Sequence, residues 1–156
     1  MPIRFQIFGL LLLSVLATGT AFGQGSLAVI VHPDNPELEV EYSELRRILR
    51  MDRQYWQTGN PIRLMLPGPS SKERARVLER GFQMSEQAFR QHWISVAYRL
   101  QALSLPRPFN DCSVAVRVVS SLNTALAVVD ADCVKGKDVK VLTVDGKRPG
   151  EKGYRL

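Results

Sequence analysis

Apolar positions run through this chain in two rhythms, and their alternation predicts its architecture. Residues 26–31 form an unbroken apolar run, the pattern of a strand covered on both faces, which His32-Pro33-Asp34-Asn35-Pro36 ends. Residues 42–50 then place Leu45, Ile48 and Leu49 at helical spacing, with acids first and arginines last, the order that the helix dipole favours. Residues 52–60 are a polar loop whose Trp56 suits a plug over the core edge better than a ring stacked on a ligand. Ile62, Leu64 and Leu66 alternate with Arg63 and Met65 as a strand does, until Pro67-Gly68-Pro69 stops them. Ser70, with Glu73 three residues on, has the form of a capping box, and Ala75, Leu78 and Phe82 share one face of the helix predicted to follow.

A second helix is expected over residues 85–101, with Phe89, Trp93, Val96 and Leu100 as its core stripe and His92 beside it as a structural or surface residue. Residues 104–110, with Pro106 and Pro108, read as a loop. Asp111 suits the cap of a helix through Val114, Val118 and Leu122, although the valines fit a strand equally well. Short strands are expected over residues 125–129 and 139–144, the last ending in the turn dipeptide Asp145-Gly146. Strands alternating with helices predict an α/β fold, a three-layer single lobe with a mixed sheet.

The first 23 residues stand apart from this pattern. A short basic start with Arg4, an apolar run over residues 7–17 and a small-residue stretch with Ala21 and Gly23 have the form of a signal peptide cleaved near Gln24. The run is short for a membrane span, so the expectation is one periplasmic domain over residues 24–156, with no membrane contact after cleavage. The whole chain carries 21 Lys and Arg against 15 Asp and Glu, and losing Arg4 leaves a net charge of +5. Residues 45–107 hold twelve basic and four acidic residues, which suits attraction of small anions or an acidic protein surface, or simply a solvated basic face. No nucleic-acid motif accompanies that charge, and export removes the usual partner. Cys112 and Cys133 remain in the exported part, where an even count reads as one disulfide, with two buried thiols as the other reading. The two histidines, His32 and His92, stand in no ligand-spaced cluster, so no metal and no cofactor is expected.

The chemistry concentrates at residues 67–71. The first amides of a helix have no internal partners and lie at its positive end, so with the Ser70 and Ser71 hydroxyls they form a donor cluster suited to an anion. An ordinary capped turn is the plainer reading of the same residues. No nucleophile elbow, metal spacing or Ser, His and Asp arrangement supports an enzyme.

Taken together, VIVHPDNP, ELRRILRM, the loop with Trp56 and Gly59, the Pro/Gly/Ser turn, the His92-Trp93 helix and the ending VKVLTVDGKRPGEKGYRL resemble the second lobe of phosphate-type periplasmic solute-binding proteins. The resemblance spans about residues 26–156 and implies a type II periplasmic-binding-protein-like lobe that takes phosphate or a related oxyanion for uptake by an ABC transporter or for sensing. It places the anion at Gly68, Ser70 and Ser71. Full members close two lobes over the ligand, so this lobe implies a second lobe, a second copy or an envelope protein as its complement. An alternative is a ligand-free interaction module in an envelope assembly or sensor system. Two positions depart from the family pattern. Its Gly-Ser-Gly-Thr turn is replaced by a stretch in which Pro67 and Pro69 remove two amide donors. Its Gly-Ile-Gly-Tyr is replaced by Thr124-Ala125-Leu126-Ala127-Val128, which does not suit close backbone approach.

Overall fold

A computed structural model of the chain describes residues 25–99 and 104–156. The proposed signal peptide and the expected end of the second helix at Leu100 and Gln101 lie outside the described residues. Six strands form one sheet in the order β2-β6-β1-β5-β3-β4: β1 Leu27–Val31, β2 Glu39–Val40, β3 Arg63–Pro67, β4 Arg107–Phe109, β5 Ala125–Asp130 and β6 Lys140–Val144. β1 runs antiparallel to both β5 and β6, while β3 runs parallel to both β5 and β4, so the sheet is mixed as the sequence implies.

Each face of this sheet carries its own layer of side chains. Leu27, Val29, Val31, Leu64, Leu66, Leu126 and Val128 point to one side, against Leu45, Ile48 and Leu49 of α1 (Tyr42–Leu49), Phe82, and Phe89 of α3 (Glu86–Tyr98). Ala28, Ile30, Met65, Ala127 and Val129 point to the other, against Ala115, Val116 and Val119 of α4 (Cys112–Ser121). Coverage on both faces is why β1 and β5 read as continuous apolar runs instead of alternating ones. Trp56 is buried and its Nε1–H donates to the Thr124 carbonyl at 3.1 Å, so it plugs the core edge. The Tyr154 hydroxyl donates to the Leu27 carbonyl at 2.8 Å and ties the C-terminal tail to β1, and burial pushes that phenol well above its ordinary value.

The valine-rich segment that suits helix or strand is helical. Asp111 caps it, accepting from the Ser113 amide at 2.8 Å. Cys112 and Cys133 form a disulfide with Cα atoms 6.3 Å apart, joining the start of α4 to the 3₁₀ turn Ala131–Val134 that follows β5.

Three expectations need correction. First, residues 104–110 hold strand β4, which pairs Leu66 with Pro108 and Pro67 with Phe109. A proline is tolerated there because β4 is an edge strand, where a missing N–H costs no ladder bond. Second, the helix after the turn starts only at Arg74, as α2 (Arg74–Arg76), and widens at once into π turns over Val77–Phe82. Leu78 and Phe82 face the core as expected, whereas Ala75 is exposed. Gly81 lets this segment approach α1, since a Cβ there would meet Leu49 Cδ1 at 3.1 Å. Third, the basic stretch is not one open face: Arg47 pairs with Glu44, Arg53 with Glu37, Arg74 and Arg90 with Glu86, and Arg76 with Asp130.

Candidate functional site

β3 delivers the chain into the predicted donor turn at its carboxyl end, where ligands sit in open α/β sheets. Gly68 is buried there, and its amide donates to the Phe109 carbonyl at 2.6 Å across the β3–β4 edge. A Cβ at this position would displace the Asn110 side chain and would stand a tight 3.2 Å from the Phe109 carbonyl, so the packing favours glycine. Pro67 and Pro69 contribute no amides. Ser70 is exposed, and its side chain has no partner among the described residues.

Ser71 behaves differently from its neighbour. It is 7% exposed, its amide closes the turn onto the Gly68 carbonyl at 3.0 Å, and its hydroxyl donates to the carboxyl group of Glu73. The Glu73 amide returns a bond to Ser71 Oγ at 3.3 Å, and Glu73 itself is 4% exposed. The capping arrangement therefore runs from Ser71 to Glu73 and not from Ser70, because Ser70 occupies the outer corner of the turn and faces water. A carboxyl group of the chain itself takes the hydroxyl that sequence reasoning offers to a ligand.

Arg74 sits directly behind the turn and is also engaged. It donates to the Pro67 carbonyl at 2.6 Å and grips Glu86 through Nε at 3.1 Å and a terminal nitrogen at 2.8 Å, with its guanidinium 4.3 Å from the Phe89 ring centroid. The hydrogen bond from Arg74 is the main reason that the Glu86 carboxyl is held below its ordinary value. From Phe89 the rings of Trp93 and His92 continue edge to face, at 5.8 and 5.1 Å. His92 Nε2 lies 3.1 Å from the Arg50 carbonyl, which can only accept, so Nε2 carries the proton and the histidine is structural.

Two hollows flank the turn. One, of about 250 Å³, is largely apolar and is lined by Leu66, Gly68, Phe89, Trp93 and Pro108 with Arg74 at its edge. The other, of about 430 Å³, is of mixed character and brings Ser71, Lys72, Glu79 and Glu86 together with Leu78 and Met84. Thr124 leads into the buried strand β5, and Ala125, Leu126, Ala127 and Val128 lie within it, so this stretch is sheet interior. Among the described residues no cluster of three or more His, Cys, Asp or Glu is arranged to hold a metal ion, and no helix is long and apolar enough to cross a membrane.

No family model and no curated protein matches the sequence. Several solved structures share its fold. An ABC-type phosphate transport receptor from Vibrio cholerae aligns at 16% identity with a TM-score of 0.64, covering 80% of this chain and 48% of the receptor. A Clostridium perfringens protein crystallised with bound phosphate gives 15% identity and 0.64, covering 80% and 46%, and PstS from Borrelia burgdorferi gives 12% and 0.62, covering 80% and 49%. This chain thus has the fold of a single lobe of the phosphate ABC transporter substrate-binding proteins and spans about half the length of those it matches.

Proposed function

We propose that this chain is an exported, periplasmic solute-binding lobe whose turn at Gly68, Ser70 and Ser71 contacts a phosphate-like oxyanion, weakly when the lobe acts alone. The observation that carries this reading is the bond from the Ser71 hydroxyl to the Glu73 carboxyl group: the turn already holds an oxyanion, one that belongs to the protein. An external anion has to displace it or share the turn with it. Exposed Ser70 and Lys72 are the groups left to help, and a second lobe, a second copy or another envelope protein supplies the remaining contacts. Nothing in this reading calls for an enzyme: the structural neighbours are phosphate transport receptors and substrate-binding proteins.

Calorimetry of the purified domain with phosphate, sulfate and acetate tests the reading. The expected result is millimolar-range binding of the tetrahedral anions that disappears in the Ser70→Ala, Ser71→Ala double variant. Silence for every anion up to tens of millimolar would rule it out.

A second reading, a ligand-free interaction module, is favoured by one observation. Ile94 and Tyr98 lie one turn apart on the outer face of α3 and are 61% and 89% exposed. Under that reading a crosslinked partner is lost in the Ile94→Ser, Tyr98→Ser double variant and kept when Ser70 and Ser71 are both replaced by Ala.

A further inference from the structure

The other end of β3 carries arginines that no acid of the described residues pairs with. Period-two geometry puts Arg63 and Met65 on the same face of β3, and the parallel register sets Arg107 of β4 directly beside Met65. That face is the one covered by α4. Spacing along and across the strands places the Arg63 and Arg107 backbones about 8 Å apart. Both arginines are exposed, and neither has an ion pair or hydrogen-bonded acid among the described residues.

Between these arginines and the C-terminal half of α4 lies a hollow of about 260 Å³, floored by Met65, Val118, Leu122 and Ala125 and bordered by Leu105. At the nearby end of α4 the Arg117 carbonyl accepts from the Ser120 and Ser121 hydroxyls, and the Val118 carbonyl from the Leu122 amide. The two guanidiniums on the strand side of the hollow are the groups that outweigh the negative end of that helix for an anionic guest. An apolar floor with two unpaired guanidiniums at its rim selects a guest with an apolar body and one anionic head, which an arginine pair grips through charge-assisted, often bidentate, bonds. Inorganic phosphate has no apolar body to bury and gains nothing from the floor.

We infer that the hollow between β3, β4 and the end of α4 is a binding site for a small organic carboxylate with an alkyl or aromatic body, held by Arg63 and Arg107. The site lies at the amino end of β3, across the sheet from the donor turn, and is independent of the oxyanion reading.

Calorimetry with octanoate tests it, with 1-octanol as the neutral analogue and inorganic phosphate as the control anion. Octanoate is expected to bind in the submillimolar to low-millimolar range, with octanol at least tenfold weaker. The Arg63→Gln, Arg107→Gln double variant is expected to weaken octanoate at least tenfold while its melting temperature holds, since both side chains are exposed. Replacing Ser70 and Ser71 by Ala leaves octanoate unchanged. No octanoate binding by 10 mM, equal binding of octanol, or full octanoate affinity in the arginine variant would each overturn the proposal. The phosphate titration reports on the donor turn alone, so failure of one site is distinguishable from failure of the other.

Discussion

The two ends of β3 solve opposite problems. At the carboxyl end, where the fold places its ligands, almost every polar group is answered from within: Gly68 by Phe109, Ser71 by Glu73, and Arg74 by Pro67 and Glu86. At the amino end, which sequence reasoning leaves aside, Arg63 and Arg107 stand over an apolar hollow with no internal acid. A position inherited from a fold does not guarantee an open site, and two arginines without internal acids at the rim of an apolar hollow are a second place to look for a guest.

Breaking the frame of the open end gives the largest expected effect. The disulfide anchors α4, the wall of that hollow, across a sequence separation of 21 residues. Replacing both Cys112 and Cys133 by Ala is expected to cost about 3 kcal/mol in urea unfolding and to weaken octanoate binding along with it. A loss near zero would mean that α4 is held by packing alone.

Next comes the closed end. Gly68→Ala forces a Cβ toward the Asn110 side chain and the Phe109 carbonyl, and is expected to destabilise by about 1–3 kcal/mol. Arg63→Ala at the open end is expected to stay within about 0.5 kcal/mol, because its side chain is exposed and unpaired. Equal costs from the two variants would erase the contrast between the ends.

The smallest effect is the pH dependence that Glu86 contributes at the closed end. Arg74 holds the Glu86 carboxyl below its ordinary value, so the stabilisation is present above the ordinary glutamate range and is lost as pH falls through the lowered folded value. Thermal melts of wild type and Glu86→Gln should therefore differ near neutrality and converge as pH falls below the lowered carboxyl range. A gap that widens in acid would reverse the sign of this account.

Much of the fold was legible because burial and period agree. The five-residue run of β1 has no alternation since both faces are covered, and α1 shows its buried stripe at Leu45, Ile48 and Leu49. β4 was not legible: two prolines in seven residues argue against a strand, and only one of them, Pro108, lies in it, tolerated at an edge position. The π turns after Arg76 leave no periodic signature over six residues. At the donor turn the residues were readable but their use was not, since sequence spacing favoured Ser70 for Glu73 while the chain turned Ser71 inward instead. Arg63 and Arg107 come together only through the β3–β4 register, which no local pattern announces.

The central claim is that the donor turn is an anion site occupied by the protein's own Glu73. Phosphate calorimetry on Glu73→Gln beside wild type tests it most directly. Removing the resident negative charge while keeping the side chain's shape should strengthen phosphate binding at least tenfold, an effect that Ser71→Ala then abolishes. Phosphate affinity unchanged or lowered by Glu73→Gln in a variant that still folds would contradict the claim and leave the turn as a structural cap.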